Sequence, residues 1–85
     1  MKRTEATYLQ LDKVLRGLGF SCRPAKHDPP GRIYEHQKAG AMIMLPAAPD
    51  SEKVYEHHLA AVRLELENFA LASPSVFADK LQRMG

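Results

Sequence analysis

The sequence predicts one α+β domain: a helix, a three-stranded antiparallel meander, a second helix and a short C-terminal helix. Three observations carry this. Apolar residues recur at helical spacing over residues 5 to 18 and again from Leu59 onward, and between them two alternating runs flank a glycine-bearing loop. The domain spans 1–85, because a chain of this size holds a single core and buries only about 60% of the surface its unfolded form exposes.

Tyr8, Leu11, Leu15 and Leu18, with Val14 beside them, fall on one helical face and predict a helix over residues 5 to 18. Thr4 is its expected N-cap. Gly19 is placed to take the left-handed conformation that ends a helix, folding Phe20 back on Leu15. Phe20 to Arg23 alternates like a short edge strand until Pro24 removes a ladder donor. Residues Ala25 to Gly31, with Asp28, Pro29 and Pro30, read as an exposed loop.

Arg32 to His36 and Ala41 to Leu45 flank the four-residue hairpin loop Gln37, Lys38, Ala39 and Gly40. Counting outward pairs His36 with Ala41, Tyr34 with Ile43 and Arg32 with Leu45 on the face expected to meet the helices. The other face pairs Glu35 with Met42 and Ile33 with Met44. Leu59, Val62, Leu66 and Phe69 mark a second helix, which starts either at an Asp50 or Ser51 cap or near Glu56, since Val54 and Tyr55 also fit an extended approach. Ser73 and Pro74 open a third, short helix carrying Val76, Phe77, Leu81 and Met84.

Composition narrows the function classes. A lone cysteine, Cys22, cannot close an intrachain disulfide, and a reduced cytoplasmic setting is the expectation. Thr4, Glu5, Gln10, Asp12 and Lys13 interrupt any apolar stretch after Met1-Lys2-Arg3, and no run of 18 apolar residues follows, so neither a signal peptide nor a membrane span is expected. Net charge is +2 but unevenly spread: residues 1 to 38 carry eight Lys and Arg against four acids, and residues 39 to 85 carry four against six. A basic first half can steer a polyanion, and the same asymmetry also arises from solvated surface lysines.

Among the histidines, His27 sits in the Pro-Gly loop near Arg23, Lys26 and Arg32, where an acid-base group with a phosphate clamp can be assembled. His36 ends a strand and reads as a capping or packing residue. His57 and His58 are neighbours on a helix, pointing about 100° apart, so they are not expected to share one small site. No His-x-x-x-His, Cys-x-x-Cys or carboxylate cluster has ligand spacing, and Gly17 and Gly19 form no phosphate loop, so no metal and no cofactor are expected. Cys22 reads as a small core residue.

Read together, LRGLGF (Leu15 to Phe20), RIYEH and AMIMLP (Arg32 to His36, Ala41 to Pro46) and HHLAAVRLELENFAL (His57 to Leu71) resemble the HicA-type toxin family. The resemblance implies a double-stranded-RNA-binding-domain-like fold, with helices on one face of a three-stranded sheet. It further implies metal-independent cleavage of messenger RNA and neutralisation by an antitoxin protein. In that family the working histidine belongs to a Gly-Ser-His motif three residues before the strand aromatic. Counting back from Tyr34 puts Gly31 there, so the expected histidine is absent, and His27, four residues earlier, is the remaining acid-base candidate.

Two function classes follow. In one, an RNA-binding relative of these toxins contacts phosphates through Arg23, Lys26 and Arg32, with His27 as the catalytic candidate. In the other, a non-catalytic module binds a copy of itself or a partner through Ile33, Met42 and Met44, which the register turns away from the helices. A homodimer is the expected form, and residues 74 to 84 folding over that face within one chain is the rival.

Overall fold

The computed structural model describes residues 2–26 and 31–84. The element order is β1 (Arg3–Thr7), α1 (Tyr8–Gly17), β2 (Ser21–Ala25), β3 (Gly31–His36), β4 (Ala41–Pro46), β5 (Lys53–Tyr55), α2 (Glu56–Asn68) and α3 (Pro74–Met84). The α+β class and the antiparallel meander β2-β3-β4 are as expected, and a second, two-stranded sheet pairs β1 with β5.

That small sheet corrects the first predicted helix. Residues 3 to 7 are a strand, pairing Arg3 with Tyr55 and Thr7 with Lys53, so Thr4 caps nothing. Its hydroxyl donates to Val54 O at 2.9 Å instead. The cap is Thr7, whose hydroxyl accepts from the Gln10 N–H at 3.2 Å while Gln10 Oε1 accepts from the Thr7 N–H at 2.7 Å. Glu5 and Ala6 suit a helix locally, yet pairing with a segment some fifty residues away decides their backbone. The same pairing settles the start of α2, which begins at Glu56 after Val54 and Tyr55 complete β5.

The end of α1 follows the sequence reading. Gly19 adopts φ +101°, the Phe20 N–H returns to Leu15 O at 3.0 Å and the Gly19 N–H to Arg16 O at 3.1 Å. Phe20 is thereby buried beside α1 rather than within a strand. β2 runs past Pro24 to Ala25, which pairs with Gly31, so the loop between β2 and β3 is shorter than expected. Proline is tolerated there because β2 is a sheet edge.

The β3–β4 register is the one counted from the hairpin, from His36 opposite Ala41 to Arg32 opposite Leu45. Tyr34, Ala41, Ile43 and Leu45 therefore face Tyr8, Leu11, Val14 and Leu15 of α1 and Val62 and Leu66 of α2, in one core. Both helices lie on that face. Phe77 and Leu81 of α3 join the same core, and α3 packs on α1 and α2. It does not cover the outer sheet face. The N–H of Val76 donates to Ser73 Oγ at 3.3 Å, the cap foreseen for α3. No helix among the described residues is long and apolar enough to cross a membrane.

Candidate functional site

The position three residues before Tyr34 opens β3. Gly31 there pairs with Ala25 on one side and Pro46 on the other. A Cβ added to Gly31 would stand 2.9 Å from the carbonyl oxygen of Leu45, a backbone atom that cannot swing aside. The place thus holds no side chain and resists receiving one. His27, together with Asp28, Pro29 and Pro30, lies outside the described residues.

The three basic residues do not converge as a clamp. Arg23 projects from the outer sheet face, where its Nε and terminal nitrogen meet Glu35 Oε1 at 2.6 Å. Arg32 belongs to the opposite face and is partly covered, donating to Ala48 O at 3.0 Å and reaching Asp50 Oδ1 at 3.4 Å. Lys26 is exposed just beyond β2. Arg3, Arg16 and Arg83 also sit against carboxylates, of Glu52, Asp12 and Asp79. Much of the guanidinium charge is therefore already paired.

Under the sheet the Tyr34 hydroxyl donates to Asp12 Oδ1 at 2.7 Å, and Arg16 Nε closes on the same carboxylate at 3.0 Å. Burial and the carboxylate beside it push the Tyr34 phenol well above its ordinary range, with Arg32 pulling the other way. This phenol stays protonated and serves as a tie between β3 and α1. It does not serve as a base.

His36 is also a tie. Its Nδ1 accepts the Ala39 N–H at 3.1 Å, which leaves Nε2 protonated and donating to Leu18 O at 3.1 Å. Its ring meets Phe20 edge-on at 5.3 Å. With both nitrogens engaged, His36 joins the hairpin loop to the end of α1, the packing role read from its position.

His57 and His58 depart from expectation. Their ring centroids are 4.1 Å apart and both contact Tyr55, at 5.7 Å each. Neighbouring helical side chains diverge by about 100° at the Cα, but both lean toward the helix N-terminus and so fold back over the residue preceding the first turn. Arg3 lies over the other part of this group, its Cζ 3.9 Å from the Tyr55 ring centre. Tyr8 Oη is 3.2 Å from His58 Nδ1. Burial lowers the His58 pKa, and the adjacent His57 adds to the effect. The run Tyr55-Glu56-His57-His58 was the available signal for this cluster, but the β1 partner that completes it was not readable locally.

The predicted contact residues divide. Met42 and Met44 are 49% and 59% exposed on the outer sheet face, whereas Ile33 is only 7% exposed. Ile33 lies on the central strand between Arg23 and Met44, and those neighbours screen it. A narrow groove separates Met42 and Met44 from His58, Ala61 and Glu65 of α2. Among the described residues no group of three or more His, Cys, Asp or Glu side chains converges to hold a metal ion. Cys22 is half-buried against the core. The chain matches no protein-family model, no curated protein and no solved structure.

Proposed function

We propose that this chain is a HicA-toxin-like RNA-binding domain that has lost efficient RNA cleavage. The observation that carries the reading is Gly31: it opens the strand bearing Tyr34, at the spacing where the toxin family has its histidine, and the Leu45 carbonyl fills the space a side chain would need. Further support comes from the sequence of α1, the meander and α2, with both helices on one sheet face. Metal-independent cleavage needs a base near the 2′-hydroxyl and an acid at the leaving oxygen, and such acid-base work contributes about 10²- to 10⁴-fold. Glycine supplies neither group.

The test is incubation of the purified chain with single-stranded RNA in chelator, beside induced expression in cells. The reading expects binding that weakens steeply with salt, no cleavage above background and no loss of messenger RNA. Removing Arg23, Lys26 and Arg32 together should weaken binding and flatten its salt dependence. Robust metal-independent cleavage would overturn it, and its loss or survival in His27→Ala would say whether His27 carries the proton transfer.

A second reading, a non-catalytic module that binds protein, is favoured by the exposure of Met42 and Met44 and by the pairing of the arginines with carboxylates. Association that is insensitive to salt, with no affinity for RNA, would select it.

A further inference from the structure

Beside the first turn of α2 lies a cavity of about 330 Å³, open to solvent and lined by Lys2, Glu56, His57 and Ala60. Its size suits one small planar group rather than an extended ligand. The Glu56 N–H donates to Lys2 O at 3.0 Å and holds Lys2 against the helix. That bond occupies the main-chain donor at the helix start, so the cavity is defined by its side chains. His57 is exposed, and its ring is stacked with that of Tyr55, inclined by 29° with centroids 5.7 Å apart. Tyr55 is itself fixed by Arg3, whose Cζ stands 3.9 Å over the ring and whose terminal nitrogen donates to the hydroxyl at 2.6 Å. Guanidinium, phenol and imidazole thus form a braced group that ends on a ring open to water. An unstacked nucleobase rests on a planar surface of this kind.

The two charged groups of the cavity set what its ligand must present. Lys2 and Glu56 are exposed, and neither enters an ion pair among the described residues. A bare anion meets the Glu56 carboxylate and a bare cation meets the Lys2 ammonium, so each is opposed. A ligand with an acceptor beside two N–H donors satisfies both. Among the bases guanine has that edge: O6 accepts from an ammonium, while N1–H and the N2 amino group give a carboxylate two parallel bonds. Adenine and cytosine offer the carboxylate one amino group, and uracil offers one N–H between two carbonyl oxygens. Ala60, with its short side chain, leaves room for the base.

We propose that this cavity binds a single unstacked guanine, with the base on His57, its O6 at Lys2 and its N1–H and N2 amino group at Glu56. The natural ligand, a guanine in single-stranded RNA, rests on the RNA-binding reading above. The cavity itself can be probed with a mononucleotide.

Guanosine 5′-monophosphate is titrated into the full chain beside adenosine 5′-monophosphate, with amide shifts read by NMR and folding of each variant checked by far-UV circular dichroism. The shifts should centre on Glu56, His57 and Ala60, with the guanosine nucleotide bound about tenfold tighter, within the range for one bidentate base contact. Glu56→Gln should bring the two nucleotides near parity. His57→Ala should weaken the guanosine nucleotide by about tenfold, a usual loss for one base stack, and His57→Phe, which keeps a planar ring, should hold it as the parent does. The proposal is overturned by an absence of shifts at these residues, by equal affinities in the parent, by a preference that persists in Glu56→Gln, or by His57→Phe binding as weakly as His57→Ala. Short single-stranded RNAs differing by one guanine or adenine separate this site from the reading it rests on. A mononucleotide preference without binding of either RNA overturns the RNA reading and keeps the guanine site. RNAs bound alike overturn the guanine site and keep the RNA reading.

Discussion

Tyr34 and Asp12 are joined by a 2.7 Å hydrogen bond from the centre of β3 to the solvent-flanked side of α1, and the carboxylate is held in turn by Arg16. Tyr34 is almost fully buried, so its hydroxyl needs this partner. Tyr34→Phe keeps the ring packing and removes only the bond. It should cost about 1.5 to 3 kcal/mol, the range for a hydrogen bond to a charged group. The melting temperature of a domain this small should fall by roughly 4 °C or more, read by thermal circular dichroism.

Gly19 and His36 are coupled through space. A Cβ on Gly19 would stand 2.9 Å from His36 Nε2, and the backbone there has φ +101°. Gly19→Ala should therefore destabilise by more than about 1 kcal/mol, through a left-handed strain and a displaced imidazole. His36→Ala loses the bonds to Leu18 and Ala39. The double variant should be less destabilised than the sum of the two single ones, since removing the ring also removes the clash. Denaturant midpoints of all four proteins measure the coupling.

Stability should fall in mild acid because of His58. Its folded pKa lies below the ordinary imidazole value of 6.5, through burial first and His57 second. The unfolded chain therefore binds the proton more readily than the folded one. The full contribution is present above pH 6.5 and is lost progressively as pH falls from there toward the lowered folded value. Urea midpoints at pH about 8 and about 5.5 should differ less in His58→Gln than in the parent.

Placing a histidine at residue 31, where the proposed toxin-like reading would put one, should not create an enzyme. Gly31→His must move the Leu45 carbonyl, and forcing extra atoms into a packed site costs about 1 to 3 kcal/mol. The expected outcome is a lower melting temperature with no gain in RNA cleavage. Cleavage that appears with unchanged stability would mean that β3 and β4 adjust freely.

The legible parts of this fold were those fixed by near neighbours in the chain. The hairpin loop set the pairing of His36 with Ala41 and hence every cross-strand partner up to Leu45, and Gly19 set the end of α1. The illegible part was the β1–β5 pairing, because Arg3 and Lys53 carry no local mark of one another, and Glu5 and Ala6 prefer a helix in isolation. The site divided in the same way. Gly31 was found by counting from Tyr34, and the outward turn of Met42 and Met44 by register. The screening of Ile33, and the placing of Arg23 and Arg32 on opposite sheet faces with carboxylate partners, depend on side-chain positions that composition does not record.

The two-stranded pairing has a kinetic meaning. The Tyr8 N–H reaches Glu52 O at 3.0 Å and the Glu56 N–H reaches Lys2 O at 3.0 Å, so one short ribbon closes on the first residue of both α1 and α2. Its contacts, such as Arg3 to Lys53, join residues 50 apart, whereas the β3–β4 hairpin closes over a four-residue turn. Closing the longer loop costs more chain entropy before any contact repays it, so the hairpin should collapse first and the ribbon should latch last. Reversed, the latch is where the native state begins to open. Amides of residues 3–7 and 53–55 should exchange with deuterium ahead of those in β3, and loosening them frees the starts of two helices at once.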